Sequence, residues 1–427
     1  MISLKKELED RGFLHQYTDE KVFEIFEKGG NNFYFGVDCS SNSMTIGNFV
    51  ALQMAIKFML KGNKCFLLVG GATSTIGNPS GKDSERPILG KEILQANQKG
   101  IASQFDKLVK NVENITGKKL SYEIVNNYDF FKNMNILTFL KEVGRFMTVN
   151  WMMSKDIVKK RITDPNKFIS YAEFSYMLIM GYDFYHLNKY NNVILEVGGS
   201  DEWDGILSGI ELVGKKSNKE VYGVTNKLIM DANGKKFGKS EGNAIWLDEN
   251  KTSPYQMYQY FMNSLDEDIG KYLKLFSFLE INEINEIVEK HFESPEKREG
   301  QKILAYKVVE IIHGTNEANL AKNISNFMFS GSEDRIKFLE SSTDHEIKTI
   351  CNAIGGYEYK NENLFETIVK SGLAKSSSEV RQAIKSGAIS INEERISDFN
   401  HDFSQSFINN KVLLIRKGKK NLKIIYK

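Results

Sequence analysis

Lys236 and Lys239 stand on either side of a Phe-Gly pair in "DANGKKFGKSEG", residues 231–242. Lysines on a glycine-punctuated loop are mobile point charges that suit a phosphate. The spacing fits a Walker-type loop poorly. That loop needs four residues between its first glycine and the Gly-Lys pair, so that successive backbone N–H groups wrap the anion. Only Lys235, Lys236 and Phe237 separate Gly234 from Gly238. A second Gly-Lys pair, Gly81-Lys82 in "NPSGKDSER", has no Ser or Thr after it. The remaining chemistry is a set of cations that closes over a triphosphate as its leaving diphosphate gains charge. Such a loop needs a partner gripping the nucleotide from the other side. "NSMTIGNFVALQMAIKFML" offers Thr45, Gly47 and Asn48 at the mouth of a helix predicted to be amphipathic, where backbone N–H groups and the helix dipole favour anions.

These groups must be carried by something rigid. "KCFLLVGG" and "NNVILEVGGSD" are short apolar runs ending in glycines, the pattern of buried parallel strands opening into functional turns. Helical patterns such as "FDKLVKNVENITG" and "ILTFLKEVGRFMTVNWMM" lie between them. The alternation predicts an α/β fold with a Rossmann-like doubly wound sheet, whose ligands sit at the carboxyl ends of the strands. From about residue 251 to 350 helical periodicity dominates. "LFETIVKSGLAKSSSEVRQAIKSGAISINEERI" then predicts two helices around a serine-rich cap, and "KVLLIRKGKKNLKIIYK" a hairpin with a basic turn. The expected division is 1–230 for the nucleotide-type domain, 231–355 for the lysine loop and an all-helical domain, and 356–427 for a small α+β domain.

The 427 residues are 41% hydrophobic and 26% charged, with a net charge of +2, an ordinary soluble composition. No apolar run approaches the roughly 18 residues of a spanning helix, and the charged start "MISLKKELEDRGFLHQ" is unlike a secretion signal. Cys39, Cys65 and Cys351 have no paired spacing, so neither a disulfide framework nor a metal site is expected. The expected location is the cytoplasm, away from membranes. Charge is uneven: Leu364 to Lys427 holds twelve Lys/Arg against six Asp/Glu, so a surplus of six sits on a body carrying 2 − 6 = −4. A basic tail of this kind suits a polyanion.

With these residues in view, the sequence resembles the bacterial-type tyrosyl-tRNA synthetases, a family of class I aminoacyl-tRNA synthetases. "FYFGVDCSSNSMTIGN", "GGATSTIGNPSGKDSER", "ISYAEFSYMLIMGYDF", "GGSDEWDG" and "KFGKS" are similar to its signatures and occur in the family's order. The tail resembles its S4-type RNA-binding domain. The resemblance implies a two-step reaction. The carboxylate of tyrosine attacks the α-phosphorus of ATP, giving tyrosyl-adenylate and pyrophosphate, and the acyl group then passes to the terminal ribose of tRNA(Tyr). It further implies Mg2+ arriving with ATP, and a homodimer whose interface would include Tyr171 and the helix near "TVNWMM".

Carried over residue by residue, Lys82, Arg86, Lys236 and Lys239 match the cations that hold pyrophosphate, with Thr45 and Asn48 where the family has histidines. A hydroxyl or amide N–H can also donate to phosphate. The sister tryptophanyl-tRNA synthetases often read "TIGN" here, but they lack the S4-type tail and the "FSY…YDF" pattern. Gly36, Ser40, Gly47, Gly198, Gly199, Asp201 and Ser240 match ATP-contacting positions. Cys39 replaces a usual proline and Phe35 a common ribose-contacting cysteine, departures that would loosen ATP binding. Lys375, Arg381, Lys385, Arg416, Lys417, Lys419 and Lys420 are the cations that would meet tRNA phosphates.

The amino-acid pocket would use Tyr34 and Asp183 for the phenol, with Asp38 beside them. A buried donor–acceptor pair rejects phenylalanine because its own groups would be left unpaired. At the ammonium end the resemblance points to Tyr176, Asn78 and Met180, where the family has a tyrosine, an aspartate and a glutamine. Glu202 replaces another glutamine. One carboxylate is lost at 78 and one gained at 202. Three readings stay open: Glu202 takes over the ammonium, the ligand is a tyrosine analogue, or the chain is a paralogue that no longer adenylates. In the last case the fold and tail would serve as an RNA-binding protein.

Overall fold

The computed structural model describes residues 2–79, 86–164, 166–230, 239–240, 243–329, 331–399, 401–418 and 421–427. Lys82, Lys236, Lys419 and Lys420 lie outside the described residues, and Lys239 and Ser240 are described by their backbone alone. The chain forms two compact units, Met1–Thr252 with Tyr260–Thr315 and Ser253–Gln259 with Asn316–Lys427.

The first unit is built on six strands: β1 (Leu14–Tyr17), β2 (Asn32–Asp38), β3 (Lys64–Gly70), β4 (Ser121–Asn126), β5 (Val193–Gly199) and β6 (Tyr222–Asn226). Their order is β1-β6-β5-β2-β3-β4. All neighbours are parallel except β1, which runs antiparallel to β6. From β2 the chain winds outward through β3 and β4, then returns to the other side through β5 and β6. The winding reverses between β2 and β5, and a crevice opens at such a switch point. Beyond Lys64 every residue of β3 is buried, as a strand covered on both faces requires.

The helices that cover this sheet include α1 (Ile46–Leu60), α2 (Lys91–Thr116), α3 (Tyr171–Asn191) and α4 (Trp203–Ser217). The amphipathic expectation for α1 is not met. Ile46 and every residue from Phe49 to Met59 are buried, so it is a core helix enclosed on nearly all sides. Even Lys57 is inside, held 3.1 Å from Glu7, with burial pushing its ammonium down to about 8. Helices α3 and α4 approach closely because "WDGILSGIE" presents small residues. A Cβ on Gly205 would sit 2.4 Å from Met180 Sδ, and one on Gly209 would sit 2.7 Å from Phe184 Cβ. The start of α3 is fixed by a capping box, in which Glu173 N–H donates to Ser170 Oγ at 3.2 Å. A buried Arg161–Glu173 pair at 2.8 Å anchors the same turn.

A two-stranded ladder, β7 (Lys239–Ser240) with β8 (Asn243–Ala244), follows the sheet. Helices α5 (Ile269–Phe276), α6 (Ile281–Glu293) and α7 (Glu299–His313) complete the unit. Asn111 of α2 donates to the Ile311 carbonyl at 3.0 Å, tying α7 to the sheet's cover.

The second unit contains α8 (Thr315–Phe329), α9 (Ser332–Ser341) and α10 (Asp344–Ile354), then β9 (Tyr357–Glu358), α11 (Leu364–Lys370) and α12 (Ser377–Lys385). It closes with β10 (Ile389–Ile391), β11 (Glu394–Arg395), β12 (Val412–Lys417) and β13 (Asn421–Tyr426). The sheet order is β11-β10-β12-β13-β9, and β12 pairs antiparallel with β13 as the expected hairpin. Leu413 and Ile415 pack among α11 and α12, while Val412 and Leu414 pack among α8 to α10. Alternate residues of one strand thus bury opposite faces. Ser376 caps α12 by accepting from Glu379 N–H at 3.3 Å.

Candidate active site

The crevice at the switch point is a cavity of about 400 Å³ lying wholly in the first unit. Strand β2 contributes Tyr34, Gly36 and Asp38, and the segment after it contributes Ser40. Thr45, Gly47 and Asn48 come from the N-terminus of α1. Asn78 and Arg86 follow β3. Tyr176, Met180 and Asp183 come from α3, and Gly198, Gly199, Asp201 and Glu202 from the end of β5 and the turn after it. Every expected substrate, ATP and catalytic residue whose side chain is described therefore lines one cavity. Positions 176, 180 and 183 follow helical spacing of four and three, which sets all three on one face. The backbone of Lys239 pairs with Ala244, itself on the cavity wall.

At the mouth, Thr45 N–H and Thr45 Oγ both donate to Asn48 Oδ1, at 3.0 and 2.9 Å. The side-chain NH2 is then the donor Asn48 can offer an anion. The first N–H of α1 is already used: Ile46 N–H donates to the Ile245 carbonyl at 3.0 Å, and Leu247 N–H to the Met44 carbonyl at 3.0 Å. These bonds stitch the exit of the lysine segment to the start of α1. Arg86 Nε donates to the Asn78 carbonyl at 2.8 Å, and its charge reaches Asp38.

Inside, Tyr176 Oη donates to Asp38 Oδ2 at 2.9 Å, and Asn78 Nδ2 donates to Glu202 Oε1 at 2.7 Å. The Glu202 carboxyl is enclosed, and burial with repulsion from Asp201 and Asp38 pushes it up to about 8. At the blind end Asp183 Oδ2 accepts from Asn127 Nδ2 at 2.9 Å. Burial holds Asp183 well above the usual carboxylate range and raises the Tyr34 hydroxyl well above its ordinary value.

The described lining carries five carboxyl groups, Asp38, Asp183, Glu196, Asp201 and Glu202, against one cation, Arg86. An enclosed space so acidic is built for positive charge from elsewhere, because paired carboxylates in low dielectric cannot all ionise alone. Among the described residues no group of three or more His, Cys, Asp or Glu could hold a metal ion. None of the described helices is long and apolar enough to cross a membrane.

The family model described as "tRNA synthetases class I (W and Y)" matches residues 27–330, which contain the whole cavity. The chain belongs to this family. A second model, "Tyrosine--tRNA ligase SYY-like C-terminal domain", matches residues 346–425. Tyrosine–tRNA ligase of Streptococcus gordonii is 40% identical over 419 residues, 97% of each chain. That of Streptococcus suis is 41% identical over 430 aligned positions, covering 99% of this chain and all of the relative. Among solved structures, a C-terminally truncated mitochondrial tyrosyl-tRNA synthetase of Aspergillus nidulans superposes with a TM-score of 0.68 at 29% identity. It covers 75% of this chain and 93% of its own. Family membership makes ATP a substrate and the enzyme a ligase.

Two groups at this class I synthetase's site belong to none of the signatures: Glu196 on the cavity wall and Asn127 behind Asp183. Glu196 is the one charged residue of β5, buried and facing Tyr34 across the β2–β5 register. Its signal was present, a carboxylate in the otherwise apolar run "VILEV". Asn127 is fully buried at the carboxyl end of β4. Its Oδ1 accepts from Ala72 N–H at 2.6 Å while its NH2 holds Asp183. No local pattern marked it.

In the second unit Lys375, Arg381 and Lys385 are exposed. Arg416 pairs with Glu393, and Lys417 with Glu379, so those two are partly neutralised.

Proposed function

We propose that the chain is a tyrosine–tRNA ligase in which this cavity performs both steps. The observation that carries the reading is the union, in one cavity, of the phenol anchors Tyr34 and Asp183 with the nucleotide groups Thr45, Asn48, Arg86 and Asp201. Full-length similarity to tyrosine–tRNA ligases supports it. Tyr34 donates to the phenol oxygen and Asp183 Oδ1 accepts the phenol proton. Glu202, held by Asn78, takes the ammonium in place of a carboxylate at 78. Of the three readings left open at positions 78, 180 and 202, this compensatory one is favoured by the 2.7 Å Asn78–Glu202 bond, which fixes the relocated carboxylate against the position that lost one.

The tyrosine carboxylate oxygen attacks the α-phosphorus of ATP, the α–β bridging P–O bond breaks, and pyrophosphate departs. No side chain forms a covalent bond. Catalysis is positioning together with neutralisation of charge developing on the leaving group, by Arg86 with Lys82, Lys236 and Lys239. Gly36, Gly47, Gly198 and Gly199 let the protein backbone approach the nucleotide, beside Ser40 and Ser240, and Asp201 accepts from the ribose. Mg2+ arrives on the phosphate oxygens of ATP, where hard cations with several waters are usually held. A terminal ribose hydroxyl of tRNA(Tyr) then attacks the acyl carbon, and AMP leaves.

Residues 1–230, 231–355 and 356–427 serve as catalytic, helical and S4-type RNA-binding parts, acting in the cytoplasm. Lys375, Arg381 and Lys385 supply exposed charge for RNA, joined by Arg416, Lys417, Lys419 and Lys420. A homodimer is supported by exposed apolar side chains at Tyr171, Val149 and Met153, which are 73%, 57% and 43% accessible. Tyrosine-dependent ATP–pyrophosphate exchange tests the first step and charging of tRNA(Tyr) the second. Exchange with tyrosine is expected, and RNA binding without exchange would replace the ligase with an RNA-binding protein.

A further inference from the structure

The blind end of the cavity holds more acceptors than a tyrosine ring can serve. Tyr34 and Glu196 are register partners on adjacent parallel strands, and Asp183 faces them from α3. They are 2%, 5% and 3% accessible respectively. Tyr34 Oη, Glu196 Oε2 and Asp183 Oδ1 are buried without a hydrogen-bond partner. Tyr34 and Glu196 are close enough for a weak hydrogen bond that adds to burial in raising the Tyr34 hydroxyl and favours the Glu196 carboxylate, yet neither Tyr34 Oη nor Glu196 Oε2 has a partner of normal geometry. Buried polar atoms of this kind are rare unless something binds there.

A phenol brings one proton and one acceptor oxygen. If its O–H donates to Asp183 and its oxygen accepts from Tyr34, Glu196 Oε2 remains unserved. If Tyr34 turns its O–H to Glu196 instead, the phenol oxygen loses its donor. With Glu196 ionised, three acceptors therefore compete for two hydroxyl protons. A second N–H or O–H on the ring carbon beside the hydroxyl supplies the missing donor on the Glu196 side.

We propose that the cavity selects a tyrosine bearing a second hydrogen-bond donor, amino or hydroxyl, on the ring carbon next to its hydroxyl, and that Glu196 is the specificity residue that recognises it. This rests on the ligase reading in one respect, that Tyr34 and Asp183 hold the phenol. Tyrosine remains a substrate, and the substituted ring is bound in preference. Burial pushes the Glu196 carboxyl up to about 8, so above that pH the donor meets a carboxylate in an enclosed space, where a charge-assisted bond is stronger than a neutral one.

The test compares two ligands of nearly equal size, 3-amino-L-tyrosine and 3-methyl-L-tyrosine, by calorimetry on the full chain at about pH 9, above the Glu196 value of about 8. The amino compound is expected to bind at least about 10-fold more tightly, the usual scale for a hydrogen bond to a charged group. In Glu196→Met the ratio is expected to fall close to one. A ratio within about threefold of one in the unaltered protein overturns the inference, as a Glu196 that simply retains its own proton would give. That reading of the unaltered protein does not depend on the variant folding. ATP–pyrophosphate exchange with the same compounds and tyrosine separates the two claims. Tyrosine-dependent exchange with no amino preference rejects the Glu196 role and keeps the ligase. A clear amino preference in binding with no exchange rejects the ligase and keeps the selectivity. Failure of every ring to bind rejects both.

Discussion

Replacing Glu202 by glutamine removes the charge we assign to the substrate ammonium while keeping the shape and the contact with Asn78. The Glu202 carboxyl stands at about 8, so at pH 7 it is mostly protonated. An ammonium within about 4 Å gains about 4 kcal/mol from a carboxylate at an effective dielectric near 20. Deprotonating Glu202 at pH 7 costs about 1.4 kcal/mol for its one unit of displacement. Desolvation of the ammonium removes part of the rest and leaves a net preference of about 1.5–2.5 kcal/mol. Glu202→Gln should therefore raise the KM for tyrosine about 10- to 50-fold in ATP–pyrophosphate exchange. The kcat should change little, because the ammonium is held equally in ground and transition states. The same argument fixes a sign with pH. The raised carboxyl must lose its proton when the ammonium arrives, so binding releases a proton at pH 7 and affinity rises as pH approaches 8. Calorimetry in buffers of different ionisation heat reads that proton directly, and Glu202→Gln should abolish its release. An unchanged KM with no proton released would refute the assignment and place the ammonium on Asp38.

Tyr34→Phe removes the donor to the phenol oxygen and should narrow the tyrosine-over-phenylalanine ratio of kcat/KM by about 5- to 30-fold. An unchanged ratio would show that Tyr34 does not touch the ring hydroxyl. Arg86→Ala should lower kcat for exchange about 100-fold, as expected for a charge aimed at the leaving group, with the KM for tyrosine nearly constant. A change confined to the KM for tyrosine would instead make Arg86 part of the amino-acid pocket. Residues 364–427 share an apolar cluster with Leu320, Ile324 and Leu339, so a cut at 364 would strip a core. Ending the chain at Thr315 removes that cluster with its partners and should abolish tRNA charging while leaving tyrosine-dependent exchange. Equal loss of both would show that the second unit is needed for adenylation.

Much of the scaffold was legible because parallel strands buried on both faces must be apolar throughout. "KCFLLVGG" and "VILEVGG" could hardly be anything else, and the glycines at their ends mark the turns that line the cavity. The hairpin of β12 and β13 was equally open, since its alternating residues serve two cores. The short β1 was not legible: four residues of mixed polarity pair with β6 only because the sheet edge is there. The burial of α1 on all sides was misjudged because Gln53 and Lys57 look like solvent-facing positions. Lys57 is held inside by Glu7 and by the Phe278 ring beneath its ammonium, partners that sequence spacing does not reveal. Glu196 and Asn127 were missed for a related reason. A carboxylate in an apolar strand flags Glu196, but its partner Tyr34 is set by strand register, and Asn127 meets Asp183 only where the ends of different elements converge.

The most direct measurement is to mix the protein with ATP, Mg2+ and labelled tyrosine in the presence of pyrophosphatase, isolate the protein, and then add tRNA(Tyr). If the cavity holds tyrosine on Tyr34 and Asp183 and ATP beside Arg86 as proposed, tyrosyl-adenylate is retained and discharges onto the tRNA. If no labelled adenylate stays with the protein, and none passes to the tRNA, the cavity does not carry out the reaction assigned to it.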